Sequence, residues 1–426
     1  MKSTKFNRRA FFKKGIFSLS GLTLGWIGIS RFPVSAYADG LPESVSAEDL
    51  DLTLEPVEIN TNPGPEYSDE ARDYAMVIGV DRTPKGRLWA AWVAGGDSEK
   101  GYFVVATSDD NGESWSSPRL VIDPPNSPTG VLQRTLVGNF WTDPTGKLWL
   151  FYDQSLGYFD GRAGVWAITC ENPDDDEPVW SAPRRIWHGV TLNKPTVLDN
   201  GEWLLPVSLW TREWIRPEIR NPGPPLEDTF PELDPMRMAH VFVSRDQGRS
   251  WTRRGGVAAM ERRFDEHMFV KLRDGRLWTL IRTYYGLAES FSPDDGRTWT
   301  DPVPSKIRHV ERGARIFLRR LDSGRLLLVK HGRIEEQTAG RSHLMAFLSE
   351  DEGESWRGGL MLDERSGISY PDGFEDPEGR LFIIYDRNRA TDSEILMARF
   401  TEEDVLAGEF RASGSRERIL VNKALG

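Results

Sequence analysis

A glycine turn followed by a strand-forming run recurs six times along the chain. The copies are Lys85-Gly86-Arg87-Leu88-Trp89, Thr145-Gly146-Lys147-Leu148-Trp149, Asn200-Gly201-Glu202-Trp203-Leu204, Asp274-Gly275-Arg276-Leu277-Trp278, Ser323-Gly324-Arg325-Leu326-Leu327 and Glu378-Gly379-Arg380-Leu381-Phe382. Their glycines lie 60, 55, 74, 49 and 55 residues apart. Glycine supplies the positive φ that a tight hairpin requires, and the runs that follow are rich in strand formers. A period of this length holds several strands. Without helical periodicity, it predicts blades, each a small sheet that buries its faces only against its neighbours. The expected fold is all-β, a six-bladed β-propeller spanning residues 60–426, with an N-terminal extension at 39–59.

A second motif follows the turn in four of the units. Ser108-x-Asp110-x-Gly112-x-Ser114-Trp115 recurs as Ser244-x-Asp246-x-Gly248-x-Ser250-Trp251, Ser292-x-Asp294-x-Gly296-x-Thr298-Trp299 and Ser349-x-Asp351-x-Gly353-x-Ser355-Trp356. This motif resembles the Asp-box (BNR) repeat of the sialidase, or neuraminidase, superfamily. The aspartate can tie down turn amides, the glycine can turn left-handed, and the tryptophan can pack between sheets. The boxes therefore read as structural clasps, not as catalytic groups or calcium loops. In one unit the pattern has decayed to Asn172-Pro173-Asp174 with a trailing Trp180, and the last unit, near Phe400, has none. The longest interval contains a proline-rich, charged stretch, Thr211 to Arg237. It reads as a long loop of the third blade, either shaping a binding face or simply solvated.

Charge and the first residues bear on the compartment. Residues 1–38 carry seven basic residues, no acidic ones and an apolar run from Gly15 to Ile29. Asn7-Arg8-Arg9-Ala10-Phe11-Phe12-Lys13 resembles a twin-arginine export signal, with Ala36-Tyr37-Ala38 as its cleavage site. An uncleaved anchor is the alternative, against which the apolar run is shorter than the roughly 20 residues of a membrane span. A periplasmic or secreted protein is expected, with no stable membrane insertion after cleavage. Losing seven positive charges takes the chain from −11 to about −18, a poor partner for nucleic acid or anionic lipid. Cys170 is the only cysteine, so packing and not an internal disulfide must hold the fold.

The resemblance implies a chemistry that carries over residue by residue. Sialidases use a tyrosine nucleophile assisted by a glutamate, an aspartate acid/base and three arginines around the substrate carboxylate, an exception to the two-carboxylate glycosidase scheme. The segment from Glu266 to Leu277, continuing to Arg282, is similar to the one in which the catalytic glutamate opens one strand and a triad arginine ends the next. A hairpin centred on Asp274-Gly275 would return both to one face; an ordinary surface salt bridge is the alternative. Tyr370, in Gly367-Ile368-Ser369-Tyr370-Pro371-Asp372-Gly373, falls where the nucleophile stands. A phenol, with its ordinary pKa near 10, needs a base within hydrogen-bond reach, and Glu266 is the expected partner. A core tyrosine packed beneath Pro371 is the other reading.

Asp97, after Gly95-Gly96, resembles the acid/base; a plain turn aspartate is the alternative. Arg341, eight residues before its box, resembles another triad arginine, and Arg315 and Arg319 compete for the same duty. Asn193 and Lys194, in a polar stretch where a strand should begin, are expected to touch substrate. One departure stands out. Family members open the first blade with Arg-Ile-Pro, whereas this chain reads Tyr74-Ala75-Met76-Val77-Ile78-Gly79-Val80. Arg72 falls slightly early, and Arg134 and Arg162 are the other candidates to replace the lost arginine, whose charge-assisted contact is worth roughly 1.5 to 3 kcal/mol.

Trp141, Trp210 and Trp214 are candidate sugar platforms. The six histidines show no metal-ligand spacing and no phosphate loop appears, so no metal or cofactor is expected. The reading is a secreted retaining exo-glycosidase of sialidase type that releases a terminal, acidic sugar from a glycan. The alternatives are a polysaccharide lyase, with His188 or His331 as base, a glycosidase for a non-sialic sugar on the same propeller, or a non-catalytic carbohydrate-binding propeller.

Overall fold

Each of the six glycine turns closes a hairpin between two successive, paired strands of a sheet, with φ between 77° and 106° at the glycine. The computed structural model describes residues 47–215 and 229–426; residues 1–38, expected to be an export signal, and the centre of the Thr211 to Arg237 loop lie outside them. The six sheets run Met76–Ile122, Gln133–Trp187, Thr196–Val257, Arg262–Pro304, Phe317–Ser366 and Ile368–Lys423, here called blades 1 to 6. Five sheets have four strands and blade 2 has five, since Gln133–Arg134 and Gly138–Thr142 both pair with Leu148–Leu156. The fold is an all-β, six-bladed propeller. Blade neighbours cover both faces of a sheet, which is why Leu88–Ala94 and Leu148–Leu156 are buried at every position.

The boxes act as clasps between blades. In the first, Ser108 Oγ donates to Asp110 at 2.8 Å and accepts from the Gly112 amide, while Asp110 accepts from the Ser114 amide at 2.9 Å. The other three repeat this pattern. Their glycines pack closely on the preceding blade. A Cβ at Gly248 would stand 2.4 Å from Trp149, one at Gly353 2.8 Å from Trp278, and one at Gly112 2.1 Å from Met397 of blade 6. The decayed box keeps its tryptophan contact, Trp180 meeting Trp89 edge-on at 5.4 Å. The ring closes where the two ends of the described propeller meet: the Leu425 and Gly426 amides donate to the Asp69 and Arg72 carbonyls, both at 2.8 Å.

A buried hub joins all six blades at the axis. The Asp372 carboxylate of blade 6 accepts from the Val80 amide of blade 1 at 3.0 Å and from Asn139 of blade 2 at 3.0 Å. It also accepts from Lys194, at the entry to blade 3, at 2.7 Å, and from Arg315, at the entry to blade 5, at 3.1 Å. Asn193 completes the circle by donating to the Glu266 and His267 carbonyls of blade 4 at 2.9 and 3.0 Å while accepting from Arg315. Two buried cations thus share one carboxylate. Asp372→Asn keeps the shape but strands those charges, and stability in urea unfolding is expected to fall by about 3 to 5 kcal/mol; a loss below about 1 kcal/mol would remove the hub's claim to hold the ring.

Candidate active site

Adjacent strands run antiparallel, so the glycine turns and boxes collect on one face of the propeller. The links between second and third strands open on the other. On that second face a cavity of about 220 Å³ is lined by Asp97, Tyr158, Arg263, Arg282, Arg341, Tyr370 and Arg389, with Trp210, Trp214 and Phe264 along one wall. Residues from all six blades meet here, although Asp97 and Arg389 are nearly 300 positions apart in the chain.

Tyr370 Oη donates to Glu266 Oε1 at 2.8 Å, and Arg282 Nη1 donates to the same oxygen at 2.6 Å. The second oxygen, Oε2, is buried without a partner. Both residues sit on irregular backbone. Phe264, Asp265 and Glu266 have φ of 62°, 57° and 46°, Tyr370 has 54°, and the register of each inner strand slips at these points. Non-glycine residues in that region carry strain, and bulges re-aim side chains. Here the bulges turn Glu266 and Tyr370 out of blades 4 and 6 and toward each other. The expected hairpin about Asp274-Gly275 brings Asp265 opposite Arg282, one residue from the glutamate.

Charge organises the rest. Burial opposes ionisation of Glu266, but Arg282, the Tyr370 hydroxyl and Arg341 outweigh it and hold the carboxyl below its ordinary value. Burial and the Glu266 charge push the Tyr370 phenol well up, so the resting pair is a carboxylate accepting from a protonated phenol. Burial, then the like charges of Arg282 and Arg389, pull Arg341 down to about 10. Its guanidinium donates to Ser369 Oγ at 2.5 Å and meets no carboxylate within ion-pair distance among the described residues. Arg389 donates to Asp386 at 2.9 Å, reaches Ser369 Oγ at 2.9 Å, lies over the Tyr370 ring at 4.3 Å and stands 3.9 Å from Asp97. Tyr158 Oη approaches the other oxygen of Asp97 at 3.5 Å.

Asp97, Glu266, Arg282, Arg341 and Tyr370 therefore come together. Arg315, Asn193 and Lys194, expected to touch substrate, do not: they belong to the axial hub, where their polar atoms are consumed by Asp372, by one another and by backbone carbonyls. Arg319 and Lys194 line a larger cavity, about 430 Å³, on the box face, which holds no tyrosine paired with a carboxylate. None of the three proposed replacements for the first arginine reaches the site. Arg72 caps the 3₁₀ turn at Ser68 and holds Asn422, Arg134 pairs with buried Asp153, and Arg162 bonds Leu50 and Thr53.

A third arginine beside Tyr370 is Arg389, which sequence reasoning missed. It stands ten residues beyond Gly379, much as Asp97 stands eleven beyond Gly86, so a search of every link between second and third strands would have found it. Trp210 and Trp214 line the cavity and Trp141 does not; His188 bonds Arg185, and His331 is buried behind the wall. Among the described residues no group of histidine, cysteine or acidic side chains is placed to hold a metal, and no helix is long and apolar enough to cross a membrane.

The family model described as the BNR repeat-like domain matches residues 86–383. The chain belongs to this family. A comparison with curated proteins returns no match. Among solved structures, the BNR repeat-like chain is similar to the intramolecular trans-sialidase of Ruminococcus gnavus in complex with oseltamivir carboxylate, at 13% identity over 81% of this chain and 98% of that one, with a TM-score of 0.60. It is also similar to the leech intramolecular trans-sialidase complexed with 2,7-anhydro-Neu5Ac, at 14% identity over 85% and 73% of the two chains and TM-score 0.59. NanB sialidase of Streptococcus pneumoniae, in its K499G mutant, matches at 13% over 79% and 68%, with TM-score 0.57. At these identities the likeness establishes a sialidase-like propeller.

Glu266→Gln leaves Arg282 buried without its counter-charge and should cost about 3 to 5 kcal/mol in equilibrium unfolding. Because the folded carboxyl is held below its ordinary value of 4.5, its stabilisation is present above that pH and lost as pH falls through the folded value. Unfolding followed from pH 6 to 3 should show this acid-dependent component in the parent protein and not in the glutamine variant.

Proposed function

We propose that this protein is a retaining exo-glycosidase of the sialidase type, acting outside the cytoplasm on a terminal acidic sugar. The observation that carries the reading is the 2.8 Å contact between the Tyr370 hydroxyl and Glu266 at the floor of an arginine-lined cavity. A buried phenol is inert by itself; beside a carboxylate held in its ionised form it can lose its proton as it attacks. Glu266 accepts that proton while Tyr370 Oη bonds to the anomeric carbon, and Asp97 protonates the departing glycosidic oxygen. In the second half, Asp97 takes a proton from water, the water oxygen replaces Tyr370, and Glu266 returns the proton to the phenol. Two displacements preserve the anomeric configuration.

An acidic sugar follows from charge. A neutral nucleophile approaches a carbon bearing a carboxylate without the repulsion an aspartate or glutamate would meet, and Arg282, Arg341 and Arg389 line the same cavity as the tyrosine. Arg341 in particular meets no carboxylate within ion-pair distance among the described residues, and a ligand's carboxylate would pair it. The sialidases among its structural neighbours, one of them bound to oseltamivir carboxylate, support the same substrate class.

Tyr370→Phe should lower turnover of a fluorogenic sialoside at least a hundredfold while glycan affinity stays within about threefold, and proton NMR of the parent reaction should show the retained anomer first. An inverted product, or an unsaturated one absorbing in the ultraviolet, would defeat the proposal. Arg389→Ala removes a charge-assisted contact to the substrate carboxylate, so KM should rise roughly ten- to a hundredfold; an unchanged KM would take Arg389 out of the clamp.

A further inference from the structure

The same cavity holds a fourth guanidinium that one substrate carboxylate would leave uncompensated. Arg282 is paired with Glu266 and Arg389 with Asp386. Arg341 lies beside both and awaits a single carboxylate. Arg263 lines the cavity as well, and among the described residues no carboxylate lies within ion-pair distance of it. It donates to the Arg312 carbonyl at 3.2 Å, and its Nε is buried without an acceptor among the described residues.

Aromatic rings hold the group in place. The Arg263 guanidinium lies 5.5 Å from the Trp214 ring, 5.6 Å from Phe264 and 5.2 Å from Tyr284, while Trp214 and Phe264 pack on each other at 4.0 Å. Rings favour a cation over their faces but leave its in-plane N–H groups unanswered. Phe264 itself is the first of the three left-handed residues that aim Glu266, so the wall that presents Arg263 is built by the same bulge that presents the catalytic base. Burial and the neighbouring Arg282 charge both disfavour the cation, and the opposite charge of a bound anion would offset them.

We propose that Arg263 recognises a second negative charge on the substrate, a carboxylate or a sulfate ester, beyond the carboxylate received by Arg282, Arg341 and Arg389. This rests on the acidic-sugar reading above, and it narrows the substrate from acidic to doubly acidic glycans. A planar guanidinium with free in-plane donors matches either oxyanion in a bidentate manner, which a lysine cannot reproduce. The second charge has two sources: a sulfate on the terminal sugar or a carboxylate on the sugar next to it.

The test is calorimetric binding at low salt in the Tyr370→Phe protein, which keeps the buried ring and lacks the attacking hydroxyl. The probes are N-acetylneuraminate, its 8-sulfate and its α2,8-linked dimer. At least one doubly charged probe is expected to bind about tenfold or more tightly than N-acetylneuraminate. Adding Arg263→Ala should bring that ratio toward one, and Arg263→Lys should keep part of it. Preference for the sulfate places the second charge on the terminal sugar, and preference for the dimer places it on the next. A ratio near one in the parent, or a ratio that survives Arg263→Ala because both probes weaken alike, would overturn the assignment while leaving the acidic-sugar reading intact. Failure of all three probes to bind would overturn both.

Discussion

Asp372 is the point on which the ring depends. Every blade of a propeller meets its neighbours through side-chain packing, which is tolerant of small rotations, and nothing in packing alone keeps six inner strands from sliding along the axis. A buried carboxylate that takes one hydrogen bond or ion pair from each of four other blades, with Asn193 reaching the fifth, removes that freedom. Such a network costs desolvation, and it is stable only because nearly every donor and acceptor is used. The hub also explains why Lys194 and Arg315 are charged at positions where a core would otherwise be apolar.

The candidate site is built directly on that hub. Tyr370 precedes Asp372 by two residues on the same strand, and Asn193 grips the backbone carbonyl of Glu266 itself. Arg315 passes beneath the Tyr370 ring at 5.8 Å. The two left-handed bulges that turn Tyr370 and Glu266 toward each other are therefore anchored within a few ångströms by the most constrained part of the fold. Backbone strain at these residues is sustainable because the surroundings determine it from several sides. Charge balance then organises the cavity outward from the Tyr370–Glu266 contact, with Arg282 compensating Glu266, Asp386 compensating Arg389, and Arg341 and Arg263 meeting no carboxylate within ion-pair distance among the described residues.

Much of this was legible in residue order. Six glycine turns named the blades, and four boxes marked one face, since a Ser-x-Asp-x-Gly turn makes its own hydrogen bonds whatever surrounds it. Glu266 and Arg282 could be paired because a hairpin is a local object: Asp274-Gly275 sets the register that brings their ends together. Asn193 and Lys194 misled for the converse reason. A polar pair at the start of a strand looks the same whether it faces solvent, substrate or the axis of a ring, and only the other five blades decide among these.

The sequence by itself determined the repeat, its clasps, the hairpin that carries Glu266 and Arg282, and the residue types of a tyrosine-based site. Those are properties of contiguous segments, set by turn chemistry and strand propensity. Tertiary structure alone decided that Arg389 stands beside the tyrosine, that Arg315 underlies the tyrosine within the hub, and that Arg263 stands with no acidic partner among the described residues. Each of these depends on which blades become neighbours when the ring closes, and on how buried charges from distant segments find counter-charges there or fail to, a matter of electrostatics in three dimensions that no local pattern encodes.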